Sequence, residues 1–191
     1  MSAFSLYLSL DGVTGESTAI GHEGEVELTS WRLSVSAGSV SGGGAGGRAR
    51  WDEIVTTMPT TAALPQLLRL CAAGRRGKTA RLFAESFGGD AAFTWLRITL
   101  SDVVVTHVTS SASSPDDSAE DQVGLGFGAI KVEKFSQGPD GSVGDPVVFA
   151  WDVVRNRGLE EPQPSKKERK AARRARVAEA AEAAAAAGLG S

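Results

Sequence analysis

The 191-residue chain predicts a mainly β domain, barrel-like or two-sheeted, with one short flanking α-helix and a C-terminal tail that is helical or disordered. Three observations carry that expectation. Twenty-three glycines and seven prolines mark many turns and tight backbone approaches. Apolar residues alternate with polar ones in seven separate runs, the period of half-buried strands. Only one internal stretch has helical spacing, and no βαβ rhythm surrounds it. Residues 1–158 are expected to be the folded domain, 159–165 a Pro-containing linker, and 166–191 a basic, Ala-rich tail.

The strands follow in order. Phe4, Leu6, Leu8 and Leu10 alternate with Ser5, Tyr7 and Ser9, and Asp11-Gly12 supplies a turn before the loop at Gly15-Glu16-Ser17. Val26 and Leu28 point one way, but Trp31, Leu33 and Val35 fall in the opposite parity, which predicts a bulge or corner near Ser30. A glycine-rich loop leads to a strand over 49–57. Residues 81–87 form another strand, and 93–109 a long one with only Ser101-Asp102 to bend it. Residues 110–121 (SSASSPDDSAED) read as a polar, acidic loop. Val123, Leu125 and Phe127 alternate with Gly124, Gly126 and Gly128, so a backbone or curved wall should come very close to that face. Ile130 and Val132 continue that strand, 138–144 turn, and Val147, Phe149, Trp151 and Val153 close the series.

The helix follows the strand over 49–57. Leu64, Leu67, Leu68 and Cys71 fall at i, i+3, i+4 and i+7, which gives one narrow apolar face. Pro65 fits only a first turn, where no intrahelical N–H is required, and it biases Leu64 away from the α region. Gly74 is placed to close the helix in a left-handed conformation. So short a helix does not hold in water on its own and must lie on the strands.

Composition excludes several function classes. Cys71 stands alone on the apolar face and reads as a buried thiol, so no disulfide framework exists. The start MSAFSLYLSLDG has neither the basic region nor the long apolar region of a secretory leader, and no apolar run reaches membrane-spanning length; export is expected by a route without a cleaved leader. His22 and His107 are the only histidines, which leaves no zinc set. Gly42, Gly44 and Gly47 match G-x-G-x-x-G, but strand-like Arg48-Ala49-Arg50-Trp51 follows where a dinucleotide site needs a helix. No Ser sits in a G-x-S-x-G elbow, and Asp116, Asp117, Glu120 and Asp121 lack the spacing of a calcium loop. No catalytic, cofactor or metal site is expected. Net charge is unevenly spread: seven Lys/Arg against three Glu leave residues 162–191 at +4 and the remaining chain at −7. The tail has good helix formers but no apolar stripe, and its bases precede Glu179 and Glu182, against the helix dipole.

The order of motifs resembles the Hcp family, the tube protein of bacterial type VI secretion systems. The matching pieces are L-x-L-D-G-V-x-G-E-S from Leu8, G-G-R-A from Gly46, LPQLLRLCAAGR from Leu64, SDVVV from Ser101, VGLGFGAIKVE from Val123 and AWDVVRN from Ala150. The resemblance spans about 155 residues. It implies a barrel-like domain with one flanking helix, hexameric rings stacked into a hollow tube, small effectors carried in the lumen, and sheath and spike proteins as further partners. It implies no membrane insertion, assembly in the bacterial cytoplasm and export through the apparatus. The family's long loop corresponds to 37–48, so Gly38, Ser39, Val40, Ser41, Gly42, Gly43, Gly44, Gly46, Gly47 and Arg48 are the expected inter-subunit or stacking arm. The family's helix lines the lumen, which would set Arg69, and with it Gln66, near the channel. The acidic loop and the tail lie outside the family pattern.

Two alternatives stand beside the tube protein. One is the tail tube of a related contractile injection machine or phage-like particle, whose mechanics are the same. The other is an anion- or nucleic-acid-binding module acting through Lys166, Lys167, Arg169, Lys170, Arg173, Arg174 and Arg176, set against a merely solvated tail.

Overall fold

In the computed structural model, residues 4–37, 48–87, 92–112, 119–138 and 142–159 are described below. They form twelve strands and one helix: β1 (Phe4–Leu10), β2 (Val26–Leu28), β3 (Ser30–Arg32), β4 (Val35–Ala37), β5 (Ala49–Trp51), β6 (Ile54–Pro59), α1 (Ala63–Ala73), β7 (Arg76–Phe87), β8 (Ala92–Ser111), β9 (Glu120–Gly126), β10 (Ala129–Lys134), β11 (Val147–Asp152) and β12 (Arg157–Gly158). The mainly β expectation holds, with one helix. All pairings are antiparallel.

One sheet runs β12-β11-β10-β8-β7-β1-β2, and from β8 a second path runs through β9 and β6 to β3. β2 pairs with β1, whereas β3 pairs with β6, and only Thr29 lies between them. The change of parity at Ser30 is therefore a corner where the chain changes partners. Thr29 N–H donates to the Thr57 carbonyl at 2.8 Å, and the wall is carried round here by the covalent chain, so the barrel-like ladder is not closed. β4 and β5 form a separate two-stranded ribbon.

β8 joins the two paths. Its first half pairs with β10, from Leu96↔Lys134 to Ser101↔Ala129, and its second half with β9, from Val104↔Gly126 to Ser111↔Glu120. The switch falls at Asp102, whose φ of 55° is left-handed, a conformation that Asp tolerates better than most residues. Arg76 Nη1 holds its carboxylate at 2.5 Å. A Cβ at Gly128 would lie 3.0 Å from Asp102 Oδ2, so the glycine lets β9 and β10 pass the bend closely. The glycines of this segment do face close neighbours, chiefly the side chains of Val104, Thr106, His107 and Asp102.

The core gathers alternate residues of every long strand: Leu6, Leu8 and Leu10 from β1, Leu82 from β7, Ile98 and Leu100 from β8, Leu125 from β9. Leu67 of α1 is fully buried against it, and Ala63 with it; Leu70 and Cys71 pack at its margin. Leu68 does not belong to that face: it is 48% exposed. At about 100° per residue, a stripe centred on Leu67 takes in 63, 64, 70 and 71 but leaves 68 to one side. Burial of Leu67 contributes roughly 1.5–3 kcal/mol.

The helix begins at Ala63 without a side-chain cap from Ala62. Its free amides are met from elsewhere: Glu16 Oε1 accepts the Ala62 N–H at 3.1 Å, and Thr61 accepts the next two through its hydroxyl and carbonyl. Pro65, third in the helix, has no N–H to satisfy. Gly74 ends it at φ 56°, as expected, with its N–H on the Cys71 carbonyl at 3.0 Å. No helix among the described residues is long and apolar enough to cross a membrane.

Candidate functional site

The expected arm leaves and rejoins the domain through the β4–β5 ribbon; its residues 38–47, and with them Gly42, Gly44 and Gly47 of the nucleotide-like motif, lie outside the described residues. Arg48, at the arm's return, is exposed and its Nη2 donates to the Val154 carbonyl at 2.8 Å, which ties the ribbon to the turn after β11. Trp51 continues that tie. Its ring centroid lies 5.9 Å from Phe149 and 6.2 Å from Phe127, and Phe149 stacks on Trp151 at 6.2 Å. Such offset and edge contacts are worth about 0.5–1.5 kcal/mol each beyond area burial.

This aromatic cluster is open on its outer side. Phe149 is 44% exposed, Val147 70% and Val154 66%, so the alternation along β11 marks an outward face as much as an inward one. The indole N–H groups of Trp51 and Trp151 are shielded from solvent yet have no hydrogen-bond partner among the described residues. Beside the cluster, Arg32, Ser34, Arg50, Trp51, Asp52, Glu53 and Val55 line an open depression of about 570 Å³. Charged and polar side chains thus rim an exposed apolar surface beside the β4–β5 ribbon.

The other predicted positions separate. Gln66 is engaged within the subunit: its Oε1 accepts the Thr14 N–H at 3.0 Å and its Nε2 donates to the Thr14 carbonyl at 2.9 Å. Arg69 is exposed on α1. The tail cations Lys166 to Arg176, like Asp116 and Asp117, lie outside the described residues. The acidic loop is shorter than the spacing predicts, because β8 runs to Ser111 and β9 starts at Glu120. Asp121 is not solvated there; it is 1% exposed and accepts the Thr60 hydroxyl at 2.8 Å.

His107 Nδ1 lies 3.3 Å from Glu53 Oε1, and Glu53 also accepts the Thr106 hydroxyl. The carboxylate thus serves two neighbours. Asp152 accepts the Arg155 N–H at 2.8 Å and Arg155 Nη1 at 2.9 Å, and these bonds hold its carboxyl below the ordinary range. Sequence reasoning missed the cluster of Trp51, Phe127, Phe149 and Trp151, because its members come from two strands and one connection. The exposed parity of Val147 and Phe149 is invisible until β11 has a partner.

A sequence model described as "Type VI secretion system effector, Hcp" matches residues 7–133. The chain is 28% identical over 158 residues to Protein hcp1 of Pseudomonas aeruginosa, an alignment covering 81% of this chain and 98% of that protein. Hcp1 from Salmonella typhimurium superposes with a TM-score of 0.68 at 25% identity, covering 82% of this chain and 99% of that one. A type six secretion system protein gives a TM-score of 0.75 at 22% identity, with the same two coverages.

Proposed function

The chain belongs to the Hcp family of type VI secretion effectors, and from that membership we propose that it is a structural tube subunit: copies assemble into hexameric rings, and rings stack into a hollow tube that carries effectors. The observation that supports this reading is the partly exposed aromatic surface of Trp51, Phe149 and Trp151, contiguous with the root of the glycine-rich arm. A surface of this kind is completed by a partner that covers it. Residues 38–48 act as the arm that reaches an adjacent subunit or ring, and glycine allows it close approach to a neighbouring backbone. Arg69 on α1 faces the lumen in this reading; Gln66 fixes the helix to the loop before it. The subunit is non-catalytic, is exported through the apparatus, and meets sheath, spike and effector proteins on the way.

Negative-stain microscopy and light scattering of the purified full-length chain test it. Ring-sized particles are expected, and a strictly monomeric species at high protein concentration would overturn the proposal. A related contractile injection machine would use the same subunit in the same way, and the neighbouring genes distinguish the two. A separate reading rests on the seven cations between 166 and 176: they grip a polyanion with steep salt dependence. A gel-shift comparison of the full chain with one ending at Glu161 decides it; equal mobility of nucleic acid with both chains removes it.

A further inference from the structure

His22 is 6% exposed, in the connection between β1 and β2. Its ring stacks on Tyr7 of β1 at 4.1 Å, and Phe83 of β7 meets it edge-on at 4.9 Å. Both ring nitrogens face carboxylates: Nδ1 lies 2.6 Å from Glu25 Oε2, and Nε2 lies 3.1 Å from Glu85 Oε1. A neutral imidazole has one N–H to give, so only the imidazolium donates to both. Glu85 is itself 7% exposed and fixed from β8 by the Thr94 hydroxyl at 2.5 Å.

The other charged or titratable groups near this ring are few. Glu23 is exposed beside it in the same connection, and the exposed Glu27 of β2 lies opposite Tyr7 in the ladder. From β8, the Arg97 guanidinium lies 5.8 Å from the Phe83 ring. Neither Glu23 nor Arg97 comes between His22 and its two carboxylates.

The connection that carries His22 is a compact loop closed on itself. Gly15 N–H donates to the Gly24 carbonyl at 2.7 Å, Ser17 N–H to Glu25 at 3.1 Å, and Gly24 N–H to Ser17 at 2.8 Å. Its far side holds α1, through Glu16 on the Ala62 N–H and through both backbone groups of Thr14 on Gln66. The His22–Glu85 contact is therefore a charged fastening between this loop and the sheet, and the loop in turn sets the first turn of the helix.

We propose that His22 is a proton-operated clasp: its imidazolium joins Glu25 to Glu85 and locks the loop between β1 and β2, with the start of α1, onto the sheet, and loss of the proton unlocks both. Deprotonation leaves one ring nitrogen presenting a lone pair to a buried carboxylate, a contact that repels where it had attracted. Burial disfavours the charge on His22, but the hydrogen bonds to Glu25 and Glu85 and the charges of those carboxylates outweigh it and raise the pKa above 6.5. The stabilisation is therefore complete below 6.5 and is lost as pH rises through the folded-state midpoint.

The test uses the full chain. The His22 ring is titrated by NMR, and amide exchange at Thr14, Gly15, Ser17, Gly24 and Ala62 is followed over the same pH range, corrected for intrinsic exchange. The expected midpoint lies above 6.5. Protection of these amides should fall about tenfold for each unit of that displacement as the ring loses its proton. Glu85→Gln should lower the midpoint and shrink the step. A midpoint at or below 6.5, or protection that stays level through the midpoint, overturns the clasp, and both are read on the unaltered protein whether or not the variant folds.

Discussion

A Cβ at Gly15 would run into the Glu25 carbonyl, which is backbone and cannot swing aside. At Gly124 the obstacles are the His107 ring and the Thr106 hydroxyl, which have some freedom to move. Both alanine variants should melt at lower denaturant concentration. Gly15→Ala should lose about 1–3 kcal/mol or more, and Gly124→Ala less. The reverse order in urea titrations would contradict this account of the two positions. Asp152 offers a pH test: its depressed pKa means that the ionised carboxylate stabilises the fold above 3.8, and that this contribution disappears as pH falls through the folded value. The difference in midpoint between wild type and Asp152→Asn should therefore be larger at pH 6 than at pH 3. The alternation of glycine with Val123, Leu125 and Phe127 was readable as a sign of crowding, but what crowds it depends on which stretch of β8 lies opposite. His22 gave no sign in the sequence for the same reason, since Glu85 is brought to it only by the β1–β7 ladder.

At the level of elements, α1 was the clearest feature in the sequence, with its proline, its apolar spacing and its closing glycine. Its orientation was not, because Leu64, Leu67, Leu68 and Cys71 define a stripe that could be centred on either side of Leu67. Leu67→Ala should cost about 2–5 kcal/mol in equilibrium unfolding. Leu68→Ala should stay within about 0.5 kcal/mol, as exposed positions do. Seven alternating runs became eleven of the twelve strands for a single physical cause. Periodicity reports which side of a strand is buried, but it is silent about which neighbour the strand pairs with. Where the partner changes, at Thr29, at Leu33-Ser34, at Asp52-Glu53 and at Phe127-Gly128, one run becomes two, and the short β12 lies beyond the last run. Only the corner near Ser30 was readable beforehand, because there the change of partner also changes the parity.

At the scale of the molecule, the acidic body and basic tail follow directly from composition, whereas the outward aromatic surface required the fold. If the arm and that surface meet a neighbouring copy, a Lys-Glu pair inserted between residues 42 and 44 should weaken ring stacking in sedimentation while leaving the thermal midpoint of the subunit unchanged. Normal stacking by that variant would take the role away from the arm. The 20-residue β8 has a consequence for melting. One continuous strand supplies ladders to both paths of the sheet, so neither can come apart while the other survives: losing β9 on one side strips order from the residues that hold β10 on the other. Trp31 reports from the β6 side and Trp95 and Trp151 from the β10–β11 side, and their fluorescence should therefore change in a single cooperative transition that coincides with the loss of circular dichroism.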